Sequence, residues 1–372
     1  MLQHSSIDFL AIANRIISGG NITRNEAKQL LLVQGGELYD LFYAANKVLK
    51  HFHGNKVTFC SILPPPFGNC SEDCKFCAQS AHYDADVNAY PMMDGDDVEK
   101  ACASTRGNGA SAFGMVNSVR GPNKKEWRKI MEAIDSMKKV DGITHCATLG
   151  SLNESQARDL KAAGIRRSNH NLETSKEFYP KVVTTHSWQD RVDTVKSVQK
   201  VGLEACCGCI FGMGESVDDR VSLGFSLKEL NPYVVLLNFL HPIAGTPLEN
   251  EPKLKPMEIL KIIAVMRLIL PKQDLKVAGG RGNNLRDLQS WIFYVGGTSG
   301  LISNYFSTYG RANQEDLQMI KDLELEWQDD RVGDLDEWIP ASENSPQSNE
   351  WLTPATSRAE LLTLGLHDIG NS

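Results

Sequence analysis

The chain has 372 residues, 41% of them hydrophobic, enough for one large core or two ordinary domains. Its net charge of −7 is concentrated: residues 321–350 hold ten Asp/Glu and two Lys/Arg, so that segment carries −8 and the remainder sums to +1. A near-neutral body gives no nucleic-acid surface, and the absence of a run of 18 apolar residues excludes a transmembrane helix of ordinary length.

The first twenty residues, MLQHSSIDFLAIANRIISGG, lack a basic start followed by an apolar block. No signal peptide is expected, which points to the cytoplasm. Residues 1–50 read as helices, with Gly35-Gly36 breaking the apolar spacing before ELYDLFYAANKVLKHF.

From about residue 56 short β-rich runs alternate with helical stretches. The strand candidates are 57–63, 111–117, 143–149, 165–172, 203–211, 233–240, 275–280 and 301–306. Asn153 with Gln156 forms a capping-box pattern ahead of one intervening helix. Trp188, Val192, Val195 and Val198 make one apolar stripe on another, which Gly202 stops. Eight such units over about 250 residues predict an α/β fold of the (β/α)8 TIM-barrel type, spanning residues 51–327. A doubly wound open sheet is the alternative. Residues 328–372 turn acidic and rich in Ser, Pro and Asn, which predicts a partly flexible extension. Trp327, Trp338 and Trp351 lie in it or at its edge, so part of it is expected to pack on the barrel.

Nine cysteines without an export signal favour metal or redox work over disulfides. Cys70, Cys74 and Cys77 follow the first strand with C-x3-C-x2-C spacing, at the barrel end where active sites sit. Three thiolates can hold three irons of a [4Fe–4S] cluster and leave the fourth iron open for a substrate. Structural zinc, the competing reading, prefers four ligands, commonly as two C-x2-C pairs.

This triplet resembles that of the radical S-adenosylmethionine (SAM) superfamily. The motif CSEDCKFCAQS, with CATLGSLNESQARDLKAAGI, NHNLETSKEFY, TTHSWQDRVDTV, IFGMGES and GLISNYFSTYGR, resembles the biotin synthases over roughly residues 35–325. The resemblance implies insertion of sulfur into dethiobiotin, with two SAM molecules cleaved to 5′-deoxyadenosyl radicals and the sulfur drawn from an auxiliary iron–sulfur cluster. It also implies a reductant protein such as flavodoxin or ferredoxin, and a homodimer. Radicals suit this chemistry because the C–H bonds are unactivated.

By the same resemblance, Phe76 packs on adenine, Glu173 meets the ribose hydroxyls of SAM, Asn171 meets SAM or the substrate's ureido ring, and Arg191 pairs with the SAM carboxylate. Asn238 meets the ureido group of dethiobiotin. Of the auxiliary-cluster ligands, Cys146 and Cys206 match two cysteines and Arg281 the arginine. The remaining cysteine position is Gly114, which has no ligand atom, so the familiar [2Fe–2S] site is incomplete. Cys60 on the first strand is the candidate replacement. Strand alternation would turn Cys206 inward and Cys207 and Cys209 outward, unless a bulge reverses them. Cys102, in a helical stretch, reads as a buried apolar residue. A related radical enzyme with another substrate, or a non-catalytic iron–sulfur or zinc protein, are the competing readings.

Overall fold

The computed structural model describes residues 7–63, 70–85, 94–302 and 311–327. Helices α1 (Phe9–Ile17), α2 (Arg24–Leu32) and α3 (Glu37–His53) open the chain, with the expected break at Gly35-Gly36. Helix α3 runs three residues beyond position 50 and feeds directly into the first strand.

Among the described residues nine short strands build the central sheet: β1 (Lys56–Leu63), β2 (Ala112–Val116), β3 (Thr144–Thr148), β4 (Arg167–Asn169), β5 (Glu204–Cys206), β6 (Cys209–Phe211), β7 (Val234–Phe239), β8 (Asp274–Val277) and β9 (Ser299–Leu301). Every pairing is parallel, and β1 bonds to both β2 and β9, so the sheet closes into a barrel rather than staying open. Strand β10 (Glu326–Trp327) adds to β1 from outside, and Trp327 is buried there with Nε1 donating to the Gly109 carbonyl at 2.9 Å. The rest of the acidic extension, with Trp338 and Trp351, lies outside the described residues.

Crossover helices α4 (Gly95–Gly107), α5 (Lys124–Met137), α6 (Glu154–Ala162), α7 (Trp188–Lys200), α8 (Val217–Leu230) and α9 (Pro256–Ile269) surround it. Their starts are written locally. Asn153/Gln156 closes its capping box on α6, and Asn123/Glu126, Ser187/Asp190 and Ser216/Asp219 do the same on α5, α7 and α8. On α7 the stripe Val192, Val195 and Val198 is buried, and Gly202 follows at φ +79°. Helix α9 is buried all round from Ile259 to Ile269 because α3 and α2 cover its outer face. Cys102 is fully buried on α4. Among the described residues no helix is long and apolar enough to cross a membrane.

Two strands differ from expectation. The run 203–211 divides into β5 and β6 at Cys207-Gly208. There the segment after β4 inserts: Leu172 N donates to the Gly208 carbonyl at 2.9 Å, and Ile210 N donates to the Glu173 carbonyl at 2.8 Å. Gly208 permits this, since a Cβ would come within 2.1 Å of the Leu236 carbonyl oxygen. The last strand begins two residues earlier than expected, at Ser299, because Thr58 and Phe59 of β1 fix its register against Ser299 and Gly300. Residues 303–306 lie outside the described set.

Candidate active site

The loop carrying Cys70, Cys74 and Cys77 lies beyond the C-terminal end of β1 and folds back on itself. Cys70 N donates to the Gln79 carbonyl, and Ala81 N to the Cys70 carbonyl. It is fastened to the segment after β4. Asp73 accepts from Thr184 N at 2.9 Å and Thr185 N at 3.1 Å, as well as from the Thr184 hydroxyl. Glu72 accepts from the Thr185 hydroxyl at 2.6 Å and pairs with His186 Nδ1. Burial opposes ionisation of Asp73, but the Thr184 and Thr185 donors win and hold its carboxyl well below the usual range. The acidic pair inside the motif and the Thr-Thr-His ahead of α7 therefore position the cysteines, a role the sequence reading did not assign.

The three thiols are close enough for their charges to interact, and burial raises all of them, Cys77 to about 11. A bound cation would reverse that shift, because the thiolate is the ligating form. Among the described residues no three His, Cys, Asp or Glu side chains close around a single-ion position. One thiolate on each of three irons does not require such a position. Cys74 packs in an apolar patch with Tyr179, Val182, Met213 and Leu240, and Phe76 borders it.

Against this patch sits a buried polar group. Arg191, in the first turn of α7, is not the solvated residue its helix position suggests. Its Nε donates to Tyr179 Oη at 2.7 Å, its Nη1 to the Asn171 carbonyl at 2.9 Å, and Nη1 lies 3.4 Å from Glu173 Oε1. Glu173 is itself buried and holds a left-handed backbone at φ +67°, uncommon for a residue with a Cβ. Burial pushes its carboxyl up, and Arg191 partly offsets that. Glu173 Oε2 and Asn171 Oδ1 are buried with no protein partner. Unmet acceptors beside three thiols and a guanidinium fit a polar ligand that brings donors and a carboxylate.

A second group of thiols lines the barrel interior. Cys60 clusters with Ala112, Ala278 and Leu301, bordered by Cys146, Ile62 and Leu236. Cys60, Cys146 and Cys206 interact electrostatically, and burial raises Cys146 to about 11 and Cys206 to about 12. Cys207 and Cys209 pack in the outer core between barrel and helices, as alternation predicts. A (β/α)8 interior is normally filled by bulky branched side chains. Here Ala112, Gly114 and Ala278 leave room, and a Cβ on Gly114 would meet Cys146 Cβ at 3.8 Å and Ile62 at 3.4 Å. Gly114, where the resemblance expects a ligand, thus faces Cys146.

Arg281, which the family resemblance offers to the thiols, is engaged elsewhere. It is buried on the helix-facing side of β9, paired through Nη2 with Asp316 at 2.5 Å. Its Nη1 lies beside Gly300 on the face that Phe59 covers. Lys276 of β8 occupies the interior instead, buried and coupled to Cys60 and Cys206. A lone charge in the run LKVA was the available signal. Asn238 likewise already has partners. Its Nδ2 donates to the Cys209 carbonyl at 3.0 Å and its Oδ1 accepts from Gly279 N at 2.8 Å, a strap between β6 and the end of β8.

Comparison with known proteins agrees with this geometry. Residues 65–224 match the profile of the radical SAM superfamily, and residues 237–326 match the biotin and thiamin synthesis associated domain. The biotin synthase of Citrifermentans bemidjiense is 46% identical over 314 residues, covering 84% of this chain and 96% of that protein. The biotin synthase of Geotalea daltonii is 45% identical over 315 residues, with the same coverage. Among solved structures, methylornithine synthase superposes with a TM-score of 0.75 at 19% identity, covering 85% of this chain and 97% of that one. The hydrogenase maturase HydG from Carboxydothermus hydrogenoformans follows at 0.73 and 17%, covering 86% and 79%. These two likenesses concern the fold alone.

Proposed function

The chain belongs to the biotin synthase family of radical SAM enzymes, and on that footing we propose how its residues divide the work of inserting sulfur into dethiobiotin. A [4Fe–4S] cluster with SAM supplies the carbon radical that abstracts hydrogen, and an auxiliary iron–sulfur cluster supplies the sulfur. Cys70, Cys74 and Cys77 hold the first cluster. Glu72 and Asp73 keep their loop seated against Thr184, Thr185 and His186.

Arg191 pairs with the SAM carboxylate, prepositioned by Tyr179 and the Asn171 carbonyl. The unmet acceptors of Glu173 and Asn171 take ribose hydroxyl and amino donors, and Phe76 flanks the adenine. Cys60, Cys146 and Cys206 hold the auxiliary cluster, with Lys276 rather than Arg281 as the neighbouring cation. Asn238 keeps one N–H and one lone pair for the ureido ring beyond its two backbone bonds. We assign the electrons to a flavodoxin or ferredoxin, the working unit to a homodimer, and the site of action to the cytoplasm. Residues 51–327 form the catalytic barrel and 328–372 an appendage.

The observation that carries this reading is the convergence of the fastened cysteine loop on buried Arg191 and Glu173 at one end of the barrel. The test is turnover of dethiobiotin by anaerobically reconstituted protein with SAM and reductant, read by mass spectrometry. SAM cleavage without biotin would reassign the substrate. No SAM cleavage with the first cluster assembled would refute the radical assignment.

A further inference from the structure

The barrel is open at the end opposite the cysteine loop. A cavity of about 840 Å³ lies at the N-terminal ends of the strands, lined by Thr58, Thr144, Arg167, Glu204, Tyr233 and Asp274 among others. Conserved chemistry at that end of a (β/α)8 barrel is usually about stability, and a packed core normally separates it from the active site. Here the spacing is different. Thr58, Thr144, Glu204 and Asp274 each stand two residues before Cys60, Cys146, Cys206 and Lys276 on their strands. Side chains two apart share a face, and two residues advance the strand by about 6–7 Å. The layer directly above the cavity wall is therefore the three thiols and the buried lysine.

The charges along this path are ordered. Arg167 lines the cavity, is register partner to both Cys146 and Glu204, and couples electrostatically to the Cys146 thiol. Its Nη2 bonds Glu204 at 2.8 Å, and its guanidinium stacks on the half-exposed ring of Tyr233, 4.9 Å from the centroid. Glu204 is neutralised by Arg166 as well, at 2.9 Å. Asp274 is tied to the Thr298 hydroxyl. Lys276 lies in the thiol layer itself, beside Cys60 and Cys206. A small anion moving inward thus meets Arg167 at the cavity and then Lys276 among the thiols.

We propose that this cavity is a port for small inorganic anions, hydrosulfide in particular, leading to Cys60, Cys146 and Cys206 from the end of the barrel opposite SAM. The hydrosulfide identity rests on the auxiliary-cluster reading above: a centre that surrenders sulfur needs replacement, and this path avoids the occupied SAM end. The port itself rests only on the geometry of the chain.

The test uses the cluster-free full chain under anaerobic reducing conditions. Carboxymethylation of Cys146 by iodoacetate and carbamidomethylation by iodoacetamide are followed by peptide mass spectrometry, each rate normalised to free cysteine. Thr144→Phe, which fills the inner wall, is expected to slow Cys146 labelling at least several-fold while Cys74 and Cys77 react unchanged. Tyr233→Ala, at the exposed mouth, is expected to speed it, and does not depend on the first variant folding. Arg167→Gln should lower the preference for iodoacetate over iodoacetamide by roughly tenfold, as loss of electrostatic focusing implies. Wild-type Cys146 rates in Tyr233→Ala and in folded Thr144→Phe would overturn the port. If the port behaves as expected but reconstituted wild-type protein takes up iron and sulfide for one cluster only, the hydrosulfide assignment falls and a plain anion port remains.

Discussion

Replacing Arg191 by alanine tests the centre of the site in the chain as it stands, before any cofactor is added. The substitution removes a donor to Tyr179 Oη and to the Asn171 carbonyl, and leaves the buried Glu173 carboxylate without its cation. Taking one partner from a buried ion pair typically costs about 3–5 kcal/mol. Protonation of Glu173 limits that cost, since each pH unit between assay pH and the carboxyl's own pKa is worth about 1.4 kcal/mol. Burial already raises the Glu173 pKa, and loss of Arg191 raises it further. A carboxyl raised in the folded state retains full stability below its unfolded pKa and loses it as pH climbs towards the folded value. The loss in Arg191→Ala should therefore be about 3 kcal/mol at pH 8 and shrink to about 1–2 kcal/mol near pH 5, where only the hydrogen bonds are missing. Urea unfolding of the cluster-free protein at both pH values measures it. The double variant Arg191→Ala/Glu173→Gln should recover most of the pH-dependent part. With the first cluster assembled, SAM affinity should fall by roughly 2–5 kcal/mol. A loss independent of pH, or a double variant as weak as the single, would refute the coupling; unchanged SAM affinity would refute the ligand role.

Cys70→Ala, Cys74→Ala and Cys77→Ala should each abolish 5′-deoxyadenosine formation, measured by chromatography after anaerobic reconstitution; normal yield from any one sinks the assignment. Cys60→Ala should keep the first cluster but lose the second, seen as lower iron content and no biotin; if both clusters persist, Cys60 is no ligand. Lys276→Met and Arg281→Met should separate cleanly. The first should impair only second-cluster assembly, whereas the second leaves buried Asp316 with Arg311 alone, 3.6 Å away, and should cost about 3 kcal/mol in stability; equal effects on the cluster would argue against Lys276 as the interior cation. Asp73→Ala should loosen the cysteine loop by about 1–3 kcal/mol. Because the Asp73 carboxyl is held low, its stabilisation is present above the unfolded pKa and vanishes as pH falls through the folded one. Limited proteolysis within 70–85 at pH 7 reads it, and wild-type protection would exclude the anchoring role.

Much of this protein was legible in one dimension. The rhythm of β-rich and helical runs predicted a barrel, and all eight strands are found, the fifth divided and the last starting two residues early, with most of its expected run outside the described residues. Capping residues marked helix starts because a cap acts on amides two or three positions away. The triplet spacing marked a candidate cluster loop because one short loop can present three thiolates, and alternation assigned Cys206 to the interior and Cys207 and Cys209 to the outer core. Each of these rules works within a few residues of chain.

What the tertiary structure alone decided concerns groups far apart in sequence. Arg281 and Lys276 differ by five positions, yet one lies behind β9 with Asp316 and the other inside with Cys60 and Cys206. Asn238 spends two hydrogen bonds on β6 and the end of β8, which no local pattern reveals. The acidic pair Glu72 and Asp73 finds Thr184, Thr185 and His186 more than a hundred residues away. Composition and spacing govern which element forms, because backbone hydrogen bonds and side-chain periodicity are short-ranged. Which charges meet inside the barrel depends on strand register and on closure of β1 against β9, and those are properties of the assembled sheet.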